Sequence, residues 1–338
     1  MDQNLDVEDR VTAPRQRRRK GGRTRRSRVQ NIAEYVAVRA LGLILRHAPI
    51  DITSWAMGAL MGAMMPLTSR HRRALDHLAY AMPELSVQER GKIARNMWHN
   101  LGRVMAEAFQ IDKLIAHTER VRLPADFDAQ RARAQDGLIA ATAHLGNWEI
   151  AGVLPRQAGI PFVGVYQALH NPYVENYLRA MREPAYPGGL FSKGPKVGHE
   201  LVRLARSGAG IGLVADFREL RGVSVRFFGR EATATPLPAM LARLTGKPLI
   251  AGAIIRTQGV RFNVMMEEIN VPITDDRDAD ILDATQALHD AYERWIRLAP
   301  DQWIWTHRKW ARGPDGSSPK PRRSPMPDDR KDHAHVIR

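Results

Sequence analysis

A chain of 338 residues is long enough to form one large domain with a sizeable core, and it contains no cysteine. The absence of cysteine excludes a disulfide framework, a thiolate metal site and a cysteine nucleophile. The net charge of +15 is concentrated at the two ends, because residues 10–28 carry ten Lys or Arg and no acid, and residues 308–338 carry nine basic and four acidic side chains.

The first 28 residues are predicted to be a disordered basic tail, because so charged a run cannot bury apolar surface. The run has no interleaved aromatic side chains to stack on bases, and an apolar region follows it directly. We therefore expect anionic phospholipid, and not nucleic acid, to be the partner of this tail. Residues 312–338, dominated by Pro, Ser and charge, are predicted to form a second disordered basic tail.

Residues 29–68 form an apolar region in two parts, separated by Pro49. The first part has a helical pattern interrupted by Glu34 and Arg39, and residues 52–69 include no charged side chain over 18 positions. That length is at the lower limit for a membrane span, and basic clusters flank both ends, which favours cytoplasmic flanks. We predict a membrane-associated helical segment that dips into the membrane or lies at its interface. A buried helical hairpin of a soluble protein is the alternative.

Residues 69–311 are predicted to form one α/β domain, with a mixed central sheet flanked by helices. Ser86 and Glu89 have the spacing of a capping box that opens an amphipathic helix running to Phe109. Met105 is among the apolar positions expected to face the core from this helix. The expected strands cover 137–143, 161–166, 210–215, 248–255 and 260–266, and the later expected helices cover 173–182, 196–206, 238–245 and 279–298.

The sequence His-Leu-Gly-Asn-Trp-Glu, residues 144–149, follows the first of these strands. Asn147 is the expected N-cap of a helix continuing from Ile150, and Glu149 would lie in its first turn, where the helix dipole favours a charged carboxylate. His144 and Glu149 would then lie at the carboxyl edge of the sheet, where open α/β sheets place their sites. A carboxylate beside an imidazole fixes its tautomer and stabilises the imidazolium, so the pair is a candidate general base. A structural histidine at a strand end is the alternative.

Residues 300–310 contain three of the seven Trp side chains, together with His307, Arg308 and Lys309. Trp beside basic groups is typical of a surface at the level of lipid headgroups or of a site for a phosphorylated ligand. A packed end of the last helix is an equally good interpretation of the same residues.

Together these motifs resemble the bacterial late lipid A acyltransferases, the lauroyl or myristoyl transferases of the lysophospholipid acyltransferase superfamily. The resemblance covers about residues 68–311. It rests on motifs in the expected order: 70–73 with 82–86, 144–149, 165–166 with 171–172 and Arg182, Asp216, 227–229, 242–246 and 300–310. The sequence departs from the family pattern at Gln167, where many members have Arg.

The resemblance implies an O-acyltransferase that moves a fatty acyl chain from acyl carrier protein to a hydroxyl of a lipid A precursor. It implies a location at the cytoplasmic face of the bacterial inner membrane and requires no cofactor or metal. His144 would act as the general base, and Glu149 would orient the ring and stabilise its charge.

The remaining site residues are assigned as supporting groups. Asn147, or backbone N–H groups beside it, would donate to the oxyanion of the thioester. Arg182, assigned by resemblance, would bind phosphate or organise the site. Asp216 ends a strand at the same edge of the sheet and would hold Arg182 or support the site from behind. An ordinary ion pair is the alternative for these last two residues.

Two other functions are compatible with parts of the sequence. The same chemistry on another lipid acceptor, such as a lysophospholipid, a glycolipid or an aminolipid, is the nearer alternative, because no motif identifies the acceptor. A non-enzymatic basic protein that binds membrane or nucleic acid is suggested by the arginine-rich tail. That alternative leaves the motif at residues 144–149 unexplained.

Overall fold

The computed structural model describes residues 27–152, 159–194 and 197–310. Its strands are β1 (Val121–Arg122), β2 (Ile139–Gly146), β3 (Phe162–Tyr166), β4 (Gly189–Ser192), β5 (Gly210–Val214), β6 (Arg218–Phe227), β7 (Arg230–Ala234), β8 (Leu249–Arg256) and β9 (Phe262–Ile269). Seven of them form one sheet in the order β1-β9-β8-β2-β5-β3-β4, in which only the β8–β9 pair is antiparallel. The predicted mixed central sheet is therefore confirmed.

Helices cover this sheet, as parallel strands require crossover connections. They are α1 (Arg28–His47), α2 (Ile50–Met64), α3 (Ser69–Ala81), α4 (Val87–Ala108), α5 (Ile111–Ala116), α6 (Phe127–Arg133), α7 (Pro172–Arg182), α8 (Val197–Arg206), α9 (Leu237–Thr245) and α10 (Arg277–Leu298). The capping box of α4 is present: the Ser86 hydroxyl accepts from the Glu89 backbone N–H, and the Glu89 carboxylate accepts from that of Ser86. Met105 is 44% exposed, so its predicted place in the core is wrong.

The sequence patterns did not predict the antiparallel hairpin β6–β7, which lies outside the main sheet. Its first strand is largely exposed and polar, so it lacks the apolar alternation by which a strand is recognised. The helix expected from Ile150 also differs. A 3₁₀ turn, Trp148–Ile150, follows β2, and residues 153–158 lie outside the described residues.

The apolar region at residues 29–68 forms α1 and α2, which are separated at Ala48 and Pro49. Helix α2 packs closely on α4: a Cβ added at Gly102 of α4 would lie 2.3 Å from the carbonyl oxygen of Met57. Across residues 27–152, 159–194 and 197–310, no helix is both long enough and apolar enough to cross a membrane. The predicted basic tails lie outside the described residues, except that Ser27 is the N-cap of α1 and Arg28 is its first residue.

The Trp side chains of residues 300–310 lie in the core, while His307 and Arg308 are exposed. Trp303 and Trp305 are fully buried, and Trp310 is nearly so. Isolated β-bridges join Trp303 to Leu145 and Trp310 to Ala232. The interpretation of these Trp side chains as a headgroup-level surface is therefore wrong, because they pack against the hairpin and the end of β2.

Candidate active site

One face of the sheet carries an apolar cavity of about 340 Å³. Side chains two residues apart on a strand share a face, so β2 presents Ala140, Thr142 and His144 to it in succession, after Leu138 just before the strand. From residue 138 to residue 144 the cavity extends along about 20 Å of strand, and small residues form part of its floor. Those of the neighbouring strands are Gly164 of β3, Gly212 of β5 and Gly252 of β8. The Phe162 ring fills the space beside Gly212, and Tyr186 and Leu190 fill that beside Gly164, whereas a Cβ added at Gly252 would make only ordinary contact. The cavity follows the sheet as a groove that ends at His144.

His144 is paired with Asp216. Its Nδ1 lies 2.7 Å from Oδ1 of Asp216, and its backbone N–H donates to Oδ2 at 2.9 Å. The indole N–H of Trp303 donates to the same Oδ2 at 2.7 Å. Phe217 stacks on the imidazole with ring centroids 3.6 Å apart, and His307 stacks on the other face of Phe217. Asp216 is fully buried, so this arrangement fixes both the plane and the tautomer of the ring.

The electrostatics of Asp216 follow from these contacts. Burial alone would raise the pKa of its carboxyl group. The opposing charge of the His144 imidazolium, with the hydrogen bonds from His144 and Trp303, instead holds that pKa well below its usual range. The Asp216 carboxylate therefore stays charged throughout the neutral pH range and can accept a hydrogen bond from Nδ1 of His144.

The predicted partnership between His144 and Glu149 is wrong. Glu149 instead forms a bidentate ion pair with Arg182, whose Nε and Nη2 each lie 2.7 Å from a carboxylate oxygen. The reason is the turn after β2: Gly146 has a φ of 66°, and the 3₁₀ turn that follows carries Glu149 toward α7. Asp216, which was expected to hold Arg182 or support the site, occupies the position beside the ring.

Asn147 also differs from its predicted role as a donor to the oxyanion. Its side chain is fully buried; Oδ1 accepts from the Glu149 backbone N–H at 3.1 Å, and Nδ2 donates to Glu107 at 2.7 Å. Asn147 is not among the residues of the cavity wall, so its amide is not placed to donate to a substrate oxyanion. Its predicted role as an N-cap is confirmed, although the element that follows is a 3₁₀ turn. His144, Glu149 and Arg182 do line the same cavity, so the structure brings three of the five predicted residues to its wall. No local signal identified Phe217 or Glu107, and the Trp-rich composition of residues 300–310 marked Trp303 without indicating its partner.

A buried ammonium lies behind the site. Lys309 is fully buried and donates to Nε2 of His289 at 2.9 Å, while Nδ1 of His289 donates to the carbonyl oxygen of Thr285. Burial lowers the pKa of Lys309 to about 7. Within the described residues, no group of three or more His, Asp or Glu is arranged to hold a metal ion.

The lowered pKa of Lys309 makes stability depend on pH. Between about pH 7 and about pH 10 the unfolded chain binds a proton that the folded chain has released, so the free energy of unfolding rises with pH. We expect Lys309→Met to abolish this pH dependence of the free energy of unfolding, whose slope is at most about 1.4 kcal/mol per pH unit over this range. Urea unfolding at several pH values measures it, with the exposed Lys92→Met as control. Parallel pH profiles for wild type and Lys309→Met would contradict the expectation.

The comparisons with known proteins agree with the sequence motifs. A family model described as bacterial lipid A biosynthesis acyltransferase matches residues 21–312. The chain belongs to this family. It is also 24% identical over 278 residues to the lipid A biosynthesis lauroyltransferase of Escherichia coli (strain K12), with 78% of this chain and 86% of that protein covered. The resemblance inferred from the motifs is confirmed, and the chain is an acyltransferase of lipid A biosynthesis.

Proposed function

We propose that this acyltransferase moves a fatty acyl chain from acyl carrier protein to a hydroxyl of a lipid A precursor. The observation that carries the proposal is the apolar cavity that ends at His144, because an acyl chain laid along the groove brings its thioester to the imidazole. The lauroyltransferase of Escherichia coli, named for transfer of a fatty acyl group, supports the same reaction class.

In this mechanism His144 is the general base. With Nδ1 protonated and donating to Asp216, Nε2 is free to accept the proton of the acceptor hydroxyl. The hydroxyl oxygen attacks the thioester carbonyl, a C–O bond forms, and the tetrahedral intermediate collapses with cleavage of the C–S bond. The imidazolium then returns its proton to the departing thiolate. Asp216 stabilises the imidazolium between the two transfers.

Arg182 is the proposed oxyanion donor. Its Nε and Nη2 are bound by Glu149, and among the described residues its Nη1 makes no hydrogen bond. Glu149 holds the planar guanidinium in one orientation, so the remaining N–H groups are fixed at the cavity wall before substrate binds. In this mechanism Asp216, and not Glu149 as predicted, supports His144 as the base. Glu149 instead holds Arg182, which binds the oxyanion.

The reaction is tested with purified protein, acyl carrier protein loaded with a fatty acyl chain, and a lipid A precursor. Mass spectrometry of the products is expected to reveal one added acyl group on the precursor. A lysophospholipid offered under the same conditions serves as the competing acceptor. Acylation of the lysophospholipid alone, or lipid A with unchanged acyl number in a deletion strain, would contradict the proposal.

Gly252 is expected to set the length of the acyl chain. It pairs with Thr142, two residues before His144 on β2, and a Cβ added there would meet its nearest atom at 3.4 Å, which is ordinary contact. Gly252→Met should therefore fill the groove without displacing the sheet, and lower kcat/KM for the longest accepted donor by about tenfold or more relative to shorter donors. Competition between donors of different length measures this.

The control for Gly252→Met is Gly91→Met on α4, where an added Cβ would meet no atom within 4 Å. This variant should leave the preference for chain length unchanged. If Gly252→Met kept the wild-type preference for acyl chain length, the acyl chain would not lie in the groove beside Gly252.

We also propose attachment to the cytoplasmic face of the bacterial inner membrane through α1 and α2, aided by the basic tail, which would contact anionic phospholipid. These helices leave large apolar side chains exposed to solvent, a surface that soluble monomers rarely present. The most exposed include Val29, Val36, Ile44, Ile52 and Trp55.

Replacing Ile44 and Trp55 together with Glu should lower partition onto anionic vesicles by at least about tenfold, because burying each large apolar side chain contributes about 1.5–3 kcal/mol. Sedimentation with vesicles measures the bound fraction. Leu298→Glu is the control, because Leu298 is 70% exposed at the end of α10, outside α1 and α2. Equal losses in both proteins would contradict a membrane role for α1 and α2.

A further inference from the structure

Glu107 of α4 is a fully buried carboxylate outside the cavity wall. The Ser54 hydroxyl of α2 donates to its Oε1 at 2.6 Å, and Arg256 of β8 binds both oxygens at 2.7 and 2.8 Å. The fourth donor is Nδ2 of Asn147, at 2.7 Å. Because a carboxylate only accepts, every group around Glu107 is a donor, and the cost of burying its charge is offset by a guanidinium and two polar groups.

The contact with Glu107 determines which way the Asn147 amide points. The NH₂ group must face the carboxylate, so Oδ1 faces the other way and accepts from the Glu149 backbone N–H. The Asn147 backbone N–H donates to the carbonyl oxygen of Ile254 at 2.8 Å. Asn147 is thereby held at its backbone by β8 and at its side chain by α4.

A second contact from α4 holds the preceding residue. Nδ2 of Asn100 donates to the carbonyl oxygen of Gly146 at 3.0 Å, and Oδ1 of Asn100 accepts from Nε of Arg256 at 2.9 Å. The guanidinium that binds Glu107 thus also orients Asn100. Gly146 itself fits only without a side chain, since a Cβ there would lie 1.8 Å from the carbonyl oxygen of Ile254.

We infer that Glu107 is a positioning residue for acyl transfer. Through Asn147 it fixes the turn at residues 146–149, which directs Glu149 toward Arg182 while His144 stays on β2 beside Asp216. The inference rests on the proposed function, because Glu107 touches neither substrate nor reacting atoms and acts only through Asn147 and Glu149.

Glu107→Gln tests the inference at constant side-chain volume. Both oxygens of Glu107 accept from Arg256, so an amide at this position sets its NH₂ group against the guanidinium in either orientation, and in one of them against Asn147 as well. The support that Glu107 and Arg256 give to the turn is thereby weakened. We expect kcat to fall by about tenfold to a hundredfold, since a displacement of about 1 Å at a catalytic group can cost 10²-fold. The KM for the acyl donor should stay within about twofold, because the apolar part of the cavity on β2, β3, β5 and β8 does not include the turn.

Two further variants separate positioning from general loss of stability. Asp280→Asn removes a comparable buried carboxylate, which binds Arg243 and Thr274 away from the cavity, and it should keep the wild-type kcat. The exchange Glu107→Gln with Asn147→Asp restores an amide–carboxylate pair in the opposite sense. The carboxylate introduced by Asn147→Asp can still accept from the Glu149 backbone N–H, so most of the lost kcat should return.

Hydrogen exchange of the backbone amides at residues 146–149 supplies a readout that does not depend on activity. Glu107→Gln should accelerate this exchange, and Asp280→Asn should not. A wild-type kcat in Glu107→Gln, an equal loss in Asp280→Asn, or unchanged exchange at the turn would overturn the inference. A wild-type protein without acyl transfer would instead overturn the proposed function, and the exchange measurement would still test the positioning of the turn.

Discussion

Replacing His144 with Ala is expected to lower the rate of acyl transfer by about 10²- to 10⁴-fold, because no other group takes the hydroxyl proton in the proposed mechanism. The protein should stay folded, since the imidazole lies at a cavity wall with its side chain 17% exposed. Single-turnover measurements with an acyl carrier protein donor separate this chemical step from binding and product release.

The control for His144→Ala is His199→Ala, which removes an exposed imidazole from α8 outside the cavity wall. It should transfer acyl chains at the wild-type rate. Near wild-type transfer by purified His144→Ala would remove the general base from the mechanism.

Asp216→Asn is expected to have a similarly large effect, about 10³- to 10⁴-fold on kcat. The amide oxygen of Asn can still accept from the His144 backbone and from Trp303, so its NH₂ group must face Nδ1 of the imidazole. Nδ1 must then carry no proton, Nε2 carries it instead, and the ring can no longer act as a base. An equivalent change of tautomer costs about 10⁴-fold in a serine protease triad.

Trp303→Phe is the matched comparison for Asp216→Asn, because it removes one hydrogen bond from the carboxylate and leaves the charge and the contact with Nδ1. We expect a much smaller loss of kcat from it. If Asp216→Asn transferred acyl chains as fast as Trp303→Phe, tautomer control by Asp216 would have no part in the reaction.

The sequence motifs placed His144, Glu149 and Arg182 in one candidate site, and these residues do line one cavity, but the motifs did not pair the residues of the site correctly. The apolar run before His144 predicted β2, and Asp216 was placed at the same sheet edge because another short apolar run precedes it. Which carboxylate meets which cation depends on contacts between positions far apart: 72 residues separate His144 from Asp216, and 33 separate Glu149 from Arg182. The spacing of residues within one motif cannot predict contacts between residues so far apart in the sequence.

The fold shows the same division between local and non-local information. Buried strands such as β5 and β8 are apolar runs and were recognised, whereas the exposed, polar β6 was not. The Trp-rich composition of residues 300–310 fitted both a surface at the level of lipid headgroups and a packed helix end. The bridges from Trp303 to Leu145 and from Trp310 to Ala232 join residues far apart in the sequence, and they place this segment against the core.

The contact between Trp303 and Asp216 also determines when, during protein synthesis, the site can be completed. Trp303 follows Asp216 by 87 residues, so at synthesis rates of about 5–20 residues per second a growing chain carries Asp216 for roughly 4 to 17 seconds before its indole partner exists. During that interval the carboxylate lacks one of its donors, and Leu145 lacks its bridge to Trp303. A nascent chain therefore completes the support of the His144 imidazole only after residue 303 has left the ribosome.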